Sequence, residues 1–259
     1  VVNALSQFLE VTVYRDGGIW QQRYENGGKN IGKLKNIGNT NKTGTHVWFK
    51  PDPTIFSTTI FNYDTIKERV RQSAYLIPGL KVILNDERTN QKETFVYNDG
   101  IKEYVEYLNE DKKTINDTYL IMDKYKVNSD LIIEVDFAVQ FTQTYNEKII
   151  SFVNNVRTND GGTHEVGLKL GITKATNDFA RKYNFLKERD INLDGSDIRE
   201  GMTAVVSLRI PEQILEFEGQ TKGKLGTPDA RTATDTIVYN NFITYLEENR
   251  SVAETIISR

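Results

Sequence analysis

The sequence predicts an α+β fold, built twice over, and three observations carry that prediction. Apolar runs of period two occur in both halves of the chain. Amphipathic helical stretches stand apart from them and do not alternate with them one for one. A charged polar stretch, "NEDKKTIND", lies between the two sets and marks a boundary near residue 112. Residues 1–112 and 113–259 are therefore expected to be separate domains. A length of 259 residues leaves room for two cores.

In chain order, Val2, Leu5 and Leu9 recur at helical spacing, and Leu9, Val11 and Val13 then alternate. This predicts the end of a helix running into a strand, and a chain cut from something longer. "RDGG" predicts a hairpin turn, with "IWQQRYENGG" as the returning strand. "KNIGKLKNIGNTNKTG" is polar, glycine-spaced and basic, so a mobile loop is expected. "THVWFKP" is a short strand ended by Pro51 and Pro53. "YDTIKERVRQSAYL" is a helix with Asp64 as its cap, Ile66, Val70 and Ala74 on one stripe, and Pro78-Gly79 as its stop. "LKVILNDERTNQKETFVYN" is a second hairpin, and "DGIKEYVEYLNEDKK" a helix with Ile101, Val105 and Leu108 inward.

The second half opens on "LIIEVDFAVQFT". Leu131, Ile133, Val135, Phe137, Val139 and Phe141 face one way; Glu134, Asp136, Gln140 and Thr142 face the other. That pattern predicts a half-buried antiparallel strand. "KIISFVNNV" continues the sheet. "DGGTHEVGLKLGITKATNDFARKY" is a turn feeding a helix capped by Thr163, with Leu168, Ile172, Ala175 and Phe179 as its apolar stripe. "TAVVSLRIPEQ" is a further strand. The closing helix starts at Thr227 with Pro228 in its first position, and turns Ala230, Ala233, Ile237, Asn241 and Tyr245 inward.

Composition narrows the function. The formal net charge of −3 gives no global basic field, so any nucleic-acid contact must come from a local patch. The absence of cysteine excludes disulfides and thiolate metal ligands and fits a reducing compartment. His46 and His164 make no metal-site spacing. No signal peptide and no long apolar run is present, so no membrane partner is expected.

The loop "FEGQTKGKLG" falls between a strand and a helix start, where an anion is favoured. It fails the P-loop template: three residues, not four, separate Gly219 from Gly223-Lys224, and Leu225 stands where Ser or Thr is needed. Lys222 offers a point charge suited to phosphate and Gln220 a neutral donor; a solvated connection remains the alternative. Thr43, Gly44 and Thr45 read as a strand start, although a threonine hydroxyl can also meet a purine edge. His164 reads as a capping or packing histidine before a general base. Asp197, Arg199 and Glu200 suggest an ion pair bracing their loop. Lys169, Lys174, Arg181, Lys182, Lys187 and Arg189 form a solvated face or a weak phosphate track.

Four stretches together, "VVNALS", "KTGTHVWFKPD", "NDGGTH" and "DIREGMTAVVS…FEGQTKGKLG", resemble the B subunits of bacterial type IIA DNA topoisomerases, over essentially the whole chain. The wording of "KPDPTIFSTTIFNYDTIKERVRQSAYLIPGL" and "IPEQILEFEGQTKGKLG" looks more like the topoisomerase IV branch than the gyrase branch. The resemblance implies that residues 1–112 are the C-terminal part of a GHKL-type ATPase domain, an α/β sandwich that clasps ATP with Mg²⁺. Residues 113–259 are then a transducer domain with a fold like ribosomal protein S5 domain 2. Gln220 and Lys222 match the family's switch-loop Gln-x-Lys, with Lys222 on the γ-phosphate. Thr45 and Val47 match the adenine pocket, and Arg15 the pocket lip.

The resemblance further implies a topoisomerase A subunit and duplex DNA as partners, a B-subunit homodimer closed by an ATP-dependent gate, and a bacterial cytoplasmic, nucleoid-associated setting. The family's catalytic glutamate, magnesium-binding asparagine, adenine-binding aspartate and glycine-rich lid match nothing in these 259 residues. The chain is thus expected to hold the phosphate sensor of an ATPase and no turnover of its own. The other reading is a non-catalytic S5-like module for duplex DNA or protein contact.

Overall fold

A computed structural model describes residues 1–258. The chain forms two compact units, Val1–Ile66 and Lys67–Arg259, and each is described by itself.

The first unit is one antiparallel sheet. After a single 3₁₀ turn at Asn3–Leu5 come β1 (Ser6–Arg15), β2 (Gly18–Glu25), β3 (Asn30–Ile31), β4 (Lys35–Asn39) and β5 (Gly44–Pro51). The expected entering helix is thus one turn long, and Leu9 belongs to the strand. The strand order is β3-β2-β1-β5, with β4 also on β2. Asp16 (φ 51°) and Gly17 (φ 76°) form the turn between β1 and β2. Positive φ at both central residues is what a two-residue hairpin requires, and Asp-Gly supplies it at low cost. The stretch expected to be a mobile loop is instead partly strand. Its β3 and β4 both pair with β2, Gly32 N donates to Arg23 O (2.8 Å), and Thr40 N donates to Gly17 O (3.0 Å). An unpaired β2 edge would leave a row of backbone groups without partners, and this stretch supplies them.

Helix α1 (Tyr63–Leu76) crosses from one unit into the next. Its cap is Asn62, whose Oδ1 accepts from Thr65 N (2.9 Å), not Asp64, which sits in the first turn. There follow the hairpin β6 (Val82–Asp86) and β7 (Gln91–Phe95), α2 (Ile101–Leu108), β8 (Tyr119–Lys126), β9 (Ile132–Phe141), β10 (Lys148–Val153), β11 (Val156–Arg157), α3 (Thr163–Lys182), α4 (Gly195–Ile198), β12 (Met202–Arg209), β13 (Phe217–Glu218), β14 (Lys224–Leu225), α5 (Pro228–Glu248) and α6 (Arg250–Ile257).

The main sheet of the second unit runs β11-β10-β12-β9-β8. Only β10 and β12 are parallel, joined by a crossover through α3. Sheet and helix are therefore less segregated than the sequence pattern suggests. One sheet face packs on α3 and α5. Ile133, Val135, Phe137, Val139 and Phe141 meet Leu168, Ile172, Phe179 and Phe242 there, in the larger core. Gly171 lets the two helices close up: a Cβ there would lie 3.0 Å from Val238 Cγ1.

The other sheet face is also covered, by α2 and the end of α1. Tyr75, Ile101, Tyr104 and Val105 pack on Ala138, Ile150, Phe152 and Val205. Strand β9 is thus buried on both sides, not half-buried. Its polar residues escape the expected penalty by bonding inside. Asp136 takes Arg209 Nη1 (2.8 Å), Gln140 Oε1 takes Asn109 Nδ2 (3.0 Å), and Gln140 Nε2 donates to Asn116 O (3.1 Å). Alternation alone cannot distinguish a solvated polar face from a buried hydrogen-bonded one.

Candidate functional site

The loop 219–223 is the tip of a β-hairpin. Its stems are β13 and β14, with Phe217 opposite Leu225 and Glu218 opposite Lys224. Lys224 Nζ lies 2.9 Å from Glu218 Oε2. Gln220 and Lys222 are both exposed. Lys222 holds φ at 55°, a left-handed conformation that costs a side-chain-bearing residue about 1 kcal/mol. Its Nζ stands 5.8 Å from the centre of the Phe217 ring, and it has no carboxylate partner among the described residues.

The base of the hairpin is clamped to "DGGTH". Asp160 N donates to Gly223 O (2.9 Å), and Leu225 N donates to Gly161 O (3.0 Å). Gly162 bridges Leu225 in parallel register. Leu225 is buried in the larger core. The starts of both long helices are tied to the same place. Thr163 is not the cap of α3; it occupies the first helical position, and its hydroxyl donates to Thr227 O (2.6 Å). Thr227 stands at the N-cap of α5, but its hydroxyl accepts from Glu216 N (2.9 Å) and donates to Ile214 O (3.0 Å). Two motifs far apart in sequence thus form one junction. The Gly-Gly pair was the available signal, since a close backbone approach needs glycine.

His164 sits beneath this junction, fully buried. Its Nε2 lies 3.0 Å from Thr158 Oγ1, Thr158 Oγ1 lies 2.5 Å from Ser151 Oγ, and Ser151 Oγ donates to Glu165 Oε1 (2.5 Å). One proton per hydroxyl gives a consistent direction: His164 Nε2–H to Thr158, Thr158 to Ser151, Ser151 to Glu165. Nδ1 has no partner. This is the packing role expected of His164, extended into a polar chain.

Burial pushes the imidazole down to about 4 from its ordinary 6.5. The unfolded chain therefore binds a proton below about pH 6.5 that the folded chain refuses until about pH 4. Stability from the neutral ring is complete above pH 6.5 and falls with pH through that window, by about 3 kcal/mol in all. Urea unfolding at several pH values checks this. The His164→Gln variant is expected to show a flatter stability profile between pH 6.5 and 4 than the parent; an identical profile excludes His164 as the source.

In the first unit, strand register decides which residues share a face. Val13 opposes Thr45 and Trp20, and Val11 opposes Val47 and Gln22. Arg15, two residues beyond Val13, falls on the same face by strand alternation. Thr45, Val47 and Arg15 thus lie together beside a half-buried strip of Val11 and Val13. Val47 is 51% exposed. Arg15 Nε is 3.2 Å from Asp16 Oδ2 in an exposed pair. An apolar strip with a hydroxyl on it and a guanidinium at one end suits a planar heterocycle carrying charge at its far end.

A family model described as DNA gyrase B matches residues 100–259. The chain belongs to this family. The B subunit of DNA topoisomerase 4 from Bacillus subtilis is 54% identical over 259 residues, covering 100% of this chain and 39% of that protein. Its counterpart from Enterococcus faecalis, also a DNA topoisomerase 4 B subunit, is 52% identical over 262 residues, covering 100% and 38%. The chain thus spans about two fifths of the length of these relatives. The 43K ATPase domain of Thermus thermophilus gyrase B, solved with an aminocoumarin, superposes with a TM-score of 0.80 at 34% identity, over 99% of this chain and 68% of that one. The topoisomerase IV ATP-binding domain of Francisella tularensis, solved with a small-molecule inhibitor, gives 0.80 at 28% identity, over 99% and 68%. The mixed helix and sheet architecture is accordingly the GHKL-type arrangement of gyrase B and topoisomerase IV ATPase domains.

The remaining charged residues are largely engaged. Lys169 pairs with Glu147, Lys174 with Asp235 and Lys182 with Glu247. Arg181 donates to Asn192 Oδ1 and to the carbonyls of Lys187 and Asp190. That leaves the charges of Lys187, Arg189 and Arg181, whose acceptors are neutral, and only Arg181 of these lies on α3. Arg199 pairs with Glu147 (3.2 Å) and donates to Thr173 Oγ1, not to Asp197, so the brace comes from another loop. Among the described residues no three His, Asp or Glu side chains converge on a point. No helix among the described residues is long and apolar enough to cross a membrane.

Proposed function

We propose that this chain is the nucleotide-sensing and transducing part of a bacterial type IIA DNA topoisomerase B subunit. In this reading the longer protein hydrolyses ATP, forms a homodimer whose gate closes with ATP, works with an A subunit, and passes one duplex through another in the bacterial cytoplasm. Thr45 and Val47 line the adenine site, Arg15 guards its lip, and Gln220 and Lys222 address the γ-phosphate. Mg²⁺ belongs to residues outside this set. Residues 113–259 are the S5-like transducer and 1–112 the ATPase part, a division by ancestry and not by contact. The 259 residues alone supply charge to a phosphate and no base, so they leave ATP intact.

The observation that carries the reading is the hairpin: an exposed lysine at its tip and a rigid attachment at its base to the starts of two core helices. A sensor needs both. The engaged cations of α3 speak against the alternative of a DNA-contact module centred on that helix.

The adenine assignment is tested by titrating a non-hydrolysable ATP analogue into a chain of the relatives' full length. Val47→Asp places a charge on the apolar strip and is expected to abolish binding. Thr45→Ala is expected to weaken it by about tenfold, the scale of one lost hydrogen bond. Trp48→Ala, on the opposite face, is expected to change nothing. Unaltered affinity in the Val47 variant overturns the assignment.

A further inference from the structure

The first unit carries a charge pattern that the nucleotide reading does not use. From Asn26 to Pro51 the sequence has five lysines and no Asp or Glu, in a chain whose net charge is −3. The five are Lys29, Lys33, Lys35, Lys42 and Lys50. All are exposed, and none has a carboxylate within ion-pair distance among the described residues.

Register places the key lysines on the sheet face opposite Thr45 and Val47. Lys50 opposes Phe8, and Lys35 opposes Gln21, which in turn opposes Thr12 and through it His46. Lys33 and Lys35 line a concavity of about 420 Å³ on this face with Gln21, Arg23 and Asn30. The two acids here, Glu10 and Glu25, are both engaged by Arg23, at 3.6 and 3.0 Å. Arg23 offsets one of these two acids, so with Lys33 and Lys35 the concavity carries a net charge of +1.

We propose that this face binds the phosphodiester backbone of duplex DNA. The occupant is argued from charge complementarity and spacing. Strand order puts Lys35 on β4 and Lys50 on β5, three strand spacings apart, about 14 Å. That spans about four phosphates along one strand of a duplex. A platform for unstacked bases is disfavoured at Phe8, whose ring is already covered; Trp48 is 53% exposed, and single-stranded DNA is the comparison probe for it. Arg23 lies 4.1 Å over the Phe8 ring, and Trp48 meets that ring edge-on at 4.9 Å. Lysines with neutral amides between them suit a sequence-independent backbone contact.

The test is fluorescence anisotropy of a short labelled duplex with the 259-residue chain, without nucleotide, across a salt series. The expected log–log slope is about −2.7, near 0.9 for each of Lys33, Lys35 and Lys50. Lys33→Glu with Lys35→Glu is expected to weaken binding at low salt by at least about tenfold and to reduce the slope by about two. Lys33→Gln with Lys35→Gln gives a smaller change in the same direction and guards against misfolding of the reversal. Lys187→Glu with Arg189→Glu is expected to change little. The proposal is overturned by absent duplex binding, by an unchanged slope in both lysine variants, by equal loss in the Lys187/Arg189 variant, or by binding to phosphatidylserine vesicles with none to the duplex. It stands apart from the adenine assignment: failure of the Val47 test leaves it intact, and its own failure leaves that test unaffected.

Discussion

In a chain of the relatives' full length, Lys222→Ala slows ATP hydrolysis by about 10²–10³-fold, the scale measured when one preorganised charge-stabilising donor is removed from a reacting centre. The lysine is suited to this on three grounds. It stands at a hairpin tip with its ammonium free of carboxylates, whereas its neighbour Lys224 is neutralised by Glu218. Its backbone is held in a left-handed conformation that a flexible loop would abandon, so the cost is met by the hairpin that fixes it. Its stems are hydrogen-bonded on both sides. Alanine keeps the Cβ and removes the ammonium together with the three methylenes that carry it. Steady-state hydrolysis and binding of a non-hydrolysable analogue separate the effects. Loss of turnover with binding reduced by less than about tenfold supports action on developing charge. Lys224→Ala, which loses only an exposed pair, should cost little. Equal loss in the two variants, or normal turnover in Lys222→Ala, removes the role.

Much of this was legible before the structure. The period-two run 131–142 gave the strand β9, and the inward face of α3 is as its spacing implies. The Asp-Gly turn marked the first hairpin, because its conformation is dictated locally. What stayed hidden depended on partners distant in sequence. Asp136 and Gln140 look solvent-facing until Arg209 and Asn109 arrive from far along the chain. Thr163 looks like a cap until its hydroxyl is seen bonding Thr227 O at the start of α5, and Thr227, which does hold the N-cap position, turns its own hydroxyl to Ile214 and Glu216. Arg199 was given a neighbour in its own loop, and its partner is Glu147. The 29–44 stretch looked mobile because it is polar, glycine-spaced and basic; the open edge of β2 orders much of it. Site residues followed the same rule. The exposure of Gln220 and Lys222 on a glycine-flanked loop was readable, but nothing local showed that the hairpin is fastened to "DGGTH".

That fastening yields the second large effect. A methyl group at Gly162 would have its Cβ 2.8 Å from Leu225 Cα and still nearer the Leu225 backbone nitrogen and oxygen, a separation real side chains do not adopt. The backbone φ of 138° there is itself hostile to an L side chain. The neighbours cannot yield easily, because Leu225 is completely buried and its N–H is committed to Gly161 O. Gly162→Ala therefore either breaks the bridge or destabilises the second unit, by about 3 kcal/mol or more. The two outcomes are distinguishable. Hydrogen exchange at the amides of Asp160 and Leu225 reports the bridge, and urea unfolding reports the unit. If the bridge alone opens, the fold survives, the hairpin swings free of α3 and α5, and a full-length chain should still bind nucleotide while hydrolysing it with weakened response to DNA. Gly161→Ala is the comparison: its φ of 68° also disfavours a side chain, but its Cβ would meet the Glu165 carboxyl at 2.8 Å, a side-chain end that can shift at the cost of its bond to Ser151, and not backbone, so a smaller loss is expected. Parent-like stability together with parent-like exchange in Gly162→Ala would show that the close approach does not hold the sensor to the core.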